Sequence, residues 1–303
     1  MEFNLIKGIR LAVSFLTILP ICPKGKIKNQ EFARSIIYFS LAGLVLGLFN
    51  LSFLYLAQYL SSLSLNLDQF ITQISKLMPW FIDWGLALAP ESLTLQFNLM
   101  NPWLIAVVLV LINTCVTGGL HLDGLMDCFD GIACGKTNRK DILEVMKDSR
   151  VGAFGSMAGS LALIVQVVAL AQLDYTNNQI ALLVLLVPAI SRLMMVLAIL
   201  FQVKVKSNSS LAIFKKYQEP VIDIIVNLVW IKLAAIIYIS QVAISLDKLI
   251  LLDLIIIPWM IATWFIYKWL AFKLKGHNGD SMGAGLVLGE SLWWLVLMML
   301  KGF

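Results

Sequence analysis

Charge is what this sequence has least of. Only 14% of its 303 residues are Asp, Glu, Lys or Arg, against about 25% in an ordinary soluble domain. Hydrophobic residues make up 60%, more than a soluble core can hide. Histidine occurs twice and cysteine four times, at Cys22, Cys115, Cys128 and Cys134, with no C-x-x-C spacing. That argues against a disulfide scaffold and a zinc ribbon, and the thiols read as reduced. The sequence contains no P-loop, no G-x-S-x-G and no H-E-x-x-H, so the common ATPase and hydrolase chemistries lack their residues. No period-two alternation marks barrel strands, and no A-x-A follows the apolar run 11–21, so the N-terminus reads as retained.

What is there is long apolar helices. Seven runs, near 36–60, 102–119, 152–173, 179–201, 222–244, 249–271 and 284–300, approach the length that crosses a bilayer of about 30 Å. The expected fold is an all-α integral membrane protein: one polytopic domain over 1–303, with about seven transmembrane helices and an N-terminal interfacial or re-entrant segment. Lys and Arg concentrate in 22–35, 120–151, 202–221 and 272–283, whereas the opposite segments carry only Lys76, Lys248 and Lys301. Positive charge stays on the cytoplasmic side. The net charge of +5 therefore reads as membrane anchoring rather than nucleic-acid binding. The segment 61–101 falls outside, is mildly acidic and shows no chemistry.

The polar motifs all fall on the cytoplasmic face. Residues 118–131 read Gly-Gly-Leu-His-Leu-Asp-Gly-Leu-Met-Asp-Cys-Phe-Asp-Gly. Asp123, Asp127 and Asp130 are spaced i, i+4, i+7 and share about 60° of one helix face. Like charges at that spacing repel, and near a membrane they lose solvation as well. A solvated acidic face is the bland account. Mg²⁺, with Mn²⁺ as the alternative, is the functional one, because these ions bridge a few carboxylates and substrate phosphates. Gly119, Gly124 and Gly131 remove bulk beside them. His121 projects away from Asp123 and is left to orient a carboxylate or touch substrate.

The next block supplies charge of the other sign. Lys147 and Arg150 suit a phosphate, Arg as a bidentate fork and Lys as a point charge, and Asp148 is a fourth metal ligand or a base. Gly155 and Gly159 read as helix packing. Before the last run, Asp280 or Ser281 offers either a helix N-cap or a functional contact. Arg192 and Glu290 lie within spans, where charge is functional by default, and each could pair with the other or with loop residues. Together these motifs suggest metal-assisted phosphoryl or nucleotidyl transfer, with Asp130 or Asp148 as base. A lipid CDP-alcohol phosphotransferase and a small-solute transporter are the rivals. Cys128-Phe129 stands where the former needs Ala-Arg, and a transporter gathers its polar residues at the midplane.

Residues 118–127 with Asp130-Gly131 closely resemble the signature of the cobalamin synthase (adenosylcobinamide-GDP ribazoletransferase) family. Residues 146–155, Met-Lys-Asp-Ser-Arg-Val-Gly-Ala-Phe-Gly, are similar to its next block. Gly279-Asp280 with Gly283-Ala284 and Glu290, residues 14–20, and residues 188–192 resemble three shorter ones. The resemblance implies Mg²⁺ at Asp123, Asp127, Asp130 and Asp148, with Asp130, Asp148 and Arg150 catalytic. Gly119, His121, Gly124, Lys147, Arg150, Asn278 and Asp280 would contact substrate. It implies adenosylcobinamide-GDP and α-ribazole, or its 5′-phosphate, as substrates and GMP as leaving group. It further implies a multi-pass protein of the cytoplasmic membrane, active site inward, and leaves room for association with other cobalamin-assembly enzymes. Ile18 stands where the family often has a basic residue, and Asn278 where it often has Thr.

Overall fold

The computed structural model describes residues 4–77, 101–148, 150–202, 210–242 and 246–299. Among them every regular element is helical: α1 (Leu5–Leu16), α2 (Asn29–Arg34), a short 3-10 turn, α3 (Phe39–Leu77), α4 (Pro102–Val116), α5 (Leu120–Ala133), α6 (Arg139–Met146), α7 (Ala153–Leu170), α8 (Asn178–Phe201), α9 (Ser210–Lys216), α10 (Pro220–Gln241), α11 (Leu246–Lys273) and α12 (Gly279–Met299).

Six stretches are long and apolar enough to cross a membrane: Asn29–Ser62, α7, α8, α10, Leu249–Lys273 and α12. The expected seventh, 102–119, is different. Its helix breaks, and α4 and α5 meet at 86°. The break is written in Gly118 and Gly119, both left-handed with φ of 61° and 71°, a conformation that a Cβ opposes. Gly119 N–H donates to Thr114 O at 2.8 Å and Gly118 N–H to Cys115 O at 3.0 Å. These are the two bonds that close a Schellman motif. The chain leaves it crosswise and carries the aspartates on α5. Elsewhere α3 runs on to Leu77, well past the apolar run that ends near 60. The rest of the segment 61–101, from 78 to 100, lies outside the described residues.

α8 is the axis of the bundle, buried from Gln179 to Val196. α3 lies against it because Gly43 and Gly47 face the carbonyls of Pro188 and Leu185, where a Cβ would collide. Helices α10 and α11 instead present Ile225, Ile236, Ile257 and Phe265 outward, as a lipid-facing wall requires. At twelve residues α1 is too short to span. It buries Leu11, Ala12, Val13 and Leu16 against the bundle, and its C-terminal extension reaches the α4–α5 corner, where Ile18 N–H donates to Val116 O at 2.9 Å. The four cysteines are free thiols.

Candidate active site

α5 sits between α7 and α12, and glycines set both crossings. A Cβ on Gly124 would lie 2.7 Å from Asp280 O, so Gly124 is what lets the start of α12 press onto α5. A Cβ on Gly283, one turn further along α12, would lie 3.0 Å from His121 Cα. On the other side Gly155 and Gly159 of α7 face Met126, as the packing reading of that pair requires. Held in this slot, α5 turns one face to solvent. Asp123 is exposed, and Asp127 and Asp130 are half-buried.

Asp280 joins them. The local fold explains why it is free to do so. Asn278 caps α12, its Oδ1 accepting Ser281 N–H at 2.9 Å, and its amide donates to Asp280 Oδ2 at 2.8 Å. Ser281 Oγ in turn donates to Asn278 O. The cap is therefore Asn278, and the Asp280 carboxylate is left to face the cluster. Asp127 lies within electrostatic reach of Asp123, Asp280 and Asp130, in decreasing strength. Among the described residues no Lys or Arg forms an ion pair with any of the four.

Asp130 has a second attachment. Its Oδ2 accepts Gly152 N–H and its Oδ1 accepts Gly155 N–H, both at 2.7 Å. Gly152 is the cap residue of α7 and has no side chain to offer. Asp130 therefore supplies, from α5, the anion that a helix N-terminus favours. The glycines of the 146–155 block make room for that carboxylate. Each oxygen retains a further lone pair.

The basic block stands apart. Arg150 reaches back to Asp148 through Nε at 3.1 Å and an Nη at 2.7 Å, and its side chain is 88% exposed. That guanidinium holds the Asp148 carboxyl down to about 2. Lys147 ends α6 and is exposed. The structure thus brings Asp123, Asp127, Asp130 and Asp280 together, and leaves Lys147, Asp148 and Arg150 on a neighbouring surface loop. Gly119 is at the corner, where a Cβ would meet nothing; its backbone conformation is its contribution. His121 is buried on the far side of α5, and its Nε2 has no hydrogen-bond partner among the described residues. It lines a small cavity with Arg192, Glu290 and Gln166. Arg192 and Glu290 pair with each other at 2.7 Å.

One functional support escapes a reading of the sequence. Arg139, which reads as a positive-inside anchor, donates to the carbonyls of Lys275 and His277, the latter at 2.9 Å. It thereby ties the start of α6 to the turn that launches Asp280. Gly276, with φ of 132°, leaves space for the guanidinium. Only that glycine hints at it in sequence.

The residues fit a divalent cation of the Mg²⁺ kind. The donors are hard carboxylate oxygens, and their like charges lack a counterion among the described side chains. No three His, Cys, Asp or Glu among the described residues converge tightly enough to enclose a metal by themselves. Mg²⁺ is ordinarily held by one or two carboxylates, water and substrate phosphates, so an open set of this sort is what it uses.

The sequence model of a family described as cobalamin-5-phosphate synthase matches residues 8–74 and 72–298. Three curated proteins, each named adenosylcobinamide-GDP ribazoletransferase, are similar to this chain. That of Clostridium botulinum (strain 657 / Type Ba4) is 33% identical over 204 residues, 67% of this chain and 77% of that protein. That of Clostridium novyi is 26% identical over 299 residues, 98% of both chains. That of Desulfitobacterium hafniense is 30% identical over 188 residues, 62% of this chain and 58% of that protein. No solved structure matches the chain.

Proposed function

We propose, from the premise that this chain belongs to the cobalamin-5-phosphate synthase family, that it is the transferase its relatives are named for. It moves the adenosylcobinamide phosphate group from adenosylcobinamide-GDP to α-ribazole or its 5′-phosphate. A ribose hydroxyl of the acceptor forms a bond to the phosphorus on the cobinamide side. The bond from that phosphorus to the bridging oxygen breaks, and GMP leaves with the electron pair. The setting is a multi-pass membrane protein, and the concentration of Lys and Arg beside the motifs supports a cytoplasmic face of the cell membrane.

The observation that carries the reading is the meeting of Asp280 with the three aspartates of α5 over Gly124. One or two of Asp123, Asp127 and Asp280, together with water and the substrate phosphates, would hold the divalent ion, with Asp130 oriented beside them by the α7 amides. That ion, when bound, supplies Lewis-acid neutralisation of the pyrophosphate and of the departing phosphate. Phosphoryl transfer asks little covalent chemistry of the protein and much positioning. Of the two bases the sequence offers, Asp130 stands in the cluster and Asp148 does not, so the hydroxyl proton is assigned to Asp130. Arg150, paired among the described residues only with Asp148, is free to turn its fork onto the incoming pyrophosphate.

The test is GMP release by the purified protein in a lipid environment, supplied with adenosylcobinamide-GDP and α-ribazole 5′-phosphate, with Mg²⁺ and then with EDTA. The reading expects release that needs the acceptor and stops on chelation. Absence of release from folded protein sinks it, and release insensitive to EDTA removes the metal.

A further inference from the structure

A cavity of about 550 Å³ opens beside Asp123, between the extension of α1 and the α4–α5 corner. Its apolar walls are Phe15, Ile18, Leu120, Leu122 and Met126, with Thr17 and Thr117 beside them, and its one charged residue is Asp123. Ile18 is fastened there by its backbone bond to Val116 and packs its side chain over Gly118. We propose that this cavity is the acceptor subsite, taking the flat aromatic base of a nucleoside with the ribose turned toward Asp123. The proposal rests on the transferase reading and says which of the two substrates sits where.

Three features of the cavity select that occupant. Its size suits a nucleoside; a corrinoid nucleotide is several times larger and stays outside. Its lining has no Lys or Arg, so it offers no side-chain cation to the donor pyrophosphate, whereas an uncharged base needs none. Its walls combine the Phe15 ring, three branched aliphatics and the Met126 thioether with the hydroxyls of Thr17 and Thr117, and rings and sulfur both pack well against an aromatic base. The rim that carries Asp123 also leads to Asp127 and Asp280, so a ribose there presents its hydroxyl where the donor phosphorus is held. The absence of a cation in the lining has a further consequence. A 5′-phosphate on the acceptor points out of the cavity, and ribazole and its 5′-phosphate bind with affinities within a few-fold of each other.

Ile18 is 65% exposed and Leu120 47% exposed, so changes there leave the bundle intact. Ile18→Trp fills the cavity and Leu120→Ala widens it. In steady-state GMP release, Ile18→Trp is expected to raise KM for both acceptors about tenfold, with KM for adenosylcobinamide-GDP and kcat within about twofold. Leu120→Ala is expected to shift acceptor KM only. A rise in donor KM, or no change in either, overturns the proposal; so does a phosphorylated acceptor bound far more tightly than the free one. An acyl chain in the cavity would make activity follow lipid composition while acceptor KM stays fixed in Ile18→Trp, which also overturns it. Equilibrium binding of α-ribazole to the unmodified protein and to Ile18→Trp separates this from the transferase reading. Binding that the Trp weakens supports the subsite even if GMP is not released, and no binding overturns it.

Discussion

Asn in place of Asp123 or Asp127 keeps the shape of the cluster and removes one of its charges. If that charge holds a cation against the pyrophosphate, each substitution lowers kcat/KM on the order of a hundredfold or more, while the thermal midpoint stays level or rises as repulsion eases. Asp130 behaves differently because it also caps α7. Asp130→Ala loses both amide contacts and destabilises the fold by about 1–2 kcal/mol, read as a lower midpoint in detergent. Asp130→Asn keeps one acceptor and recovers part of that loss but little activity. The i, i+4, i+7 spacing made the shared face of these three legible. It could not show that Asp130 serves two helices, since Gly152 and Gly155 are distant in sequence. Nor could adjacency decide the role of Asp148. Its own Arg150, two residues on, captures it, whereas Asp130 is among the carboxylates that act on Asp127.

Among the elements, α5 is held by its partners more than by its own propensity. Gly124 is the point where α12 approaches closely enough for Asp280 to enter the site. Gly124→Leu would push the two helices apart. Activity should collapse while membrane insertion persists, which separates misplacement of Asp280 from failure to fold. The corner before α5 depends on backbone conformation. Gly118→Ala pays the left-handed penalty of about 1–2 kcal/mol and collides with Ile18 as well, so it should disturb acceptor use along with stability. The α11–α12 turn adds a pH dependence. Burial, with Arg139 nearby, pushes His277 from 6.5 down to about 4, so the folded turn holds the neutral ring. The stability tied to it is complete above pH 6.5 and drains as pH falls toward 4. The thermal midpoint should therefore fall between those limits, and the fall should shrink in His277→Asn. The sequence offered Asp280 and Ser281 as caps. The structure gives that task to Asn278, because its side chain reaches the amide three residues on, and Asp280 is released for the site.

At the scale of the whole molecule, composition announces a helical membrane protein, and six of the seven apolar runs become single spans in place. The seventh fails for a reason residue counting does not weigh: two successive left-handed glycines turn a crossing helix sideways and present the acidic face. Behind that face the bundle spends its only buried ion pair, Arg192 with Glu290 among the described residues, on joining α8 to α12. Arg192 also donates to Pro188 O at 3.1 Å, within its own helix. The same small cavity receives His121 from the back of α5, so this pair stands between the bundle axis and the site. Removing one partner leaves a charge stranded, which costs about 3–5 kcal/mol, whereas replacing both with apolar residues of similar volume is far milder. Glu290→Leu alone should therefore lower the thermal midpoint steeply, and Glu290→Leu with Arg192→Met should restore most of it. If the pair serves only to hold the bundle, the double variant regains activity along with stability. If it also sets the position of α5 through the His121 cavity, the double variant is stable yet keeps a reduced kcat with near-normal KM for both substrates. The convergence of α8, α12 and α5 on one cavity favours the second outcome.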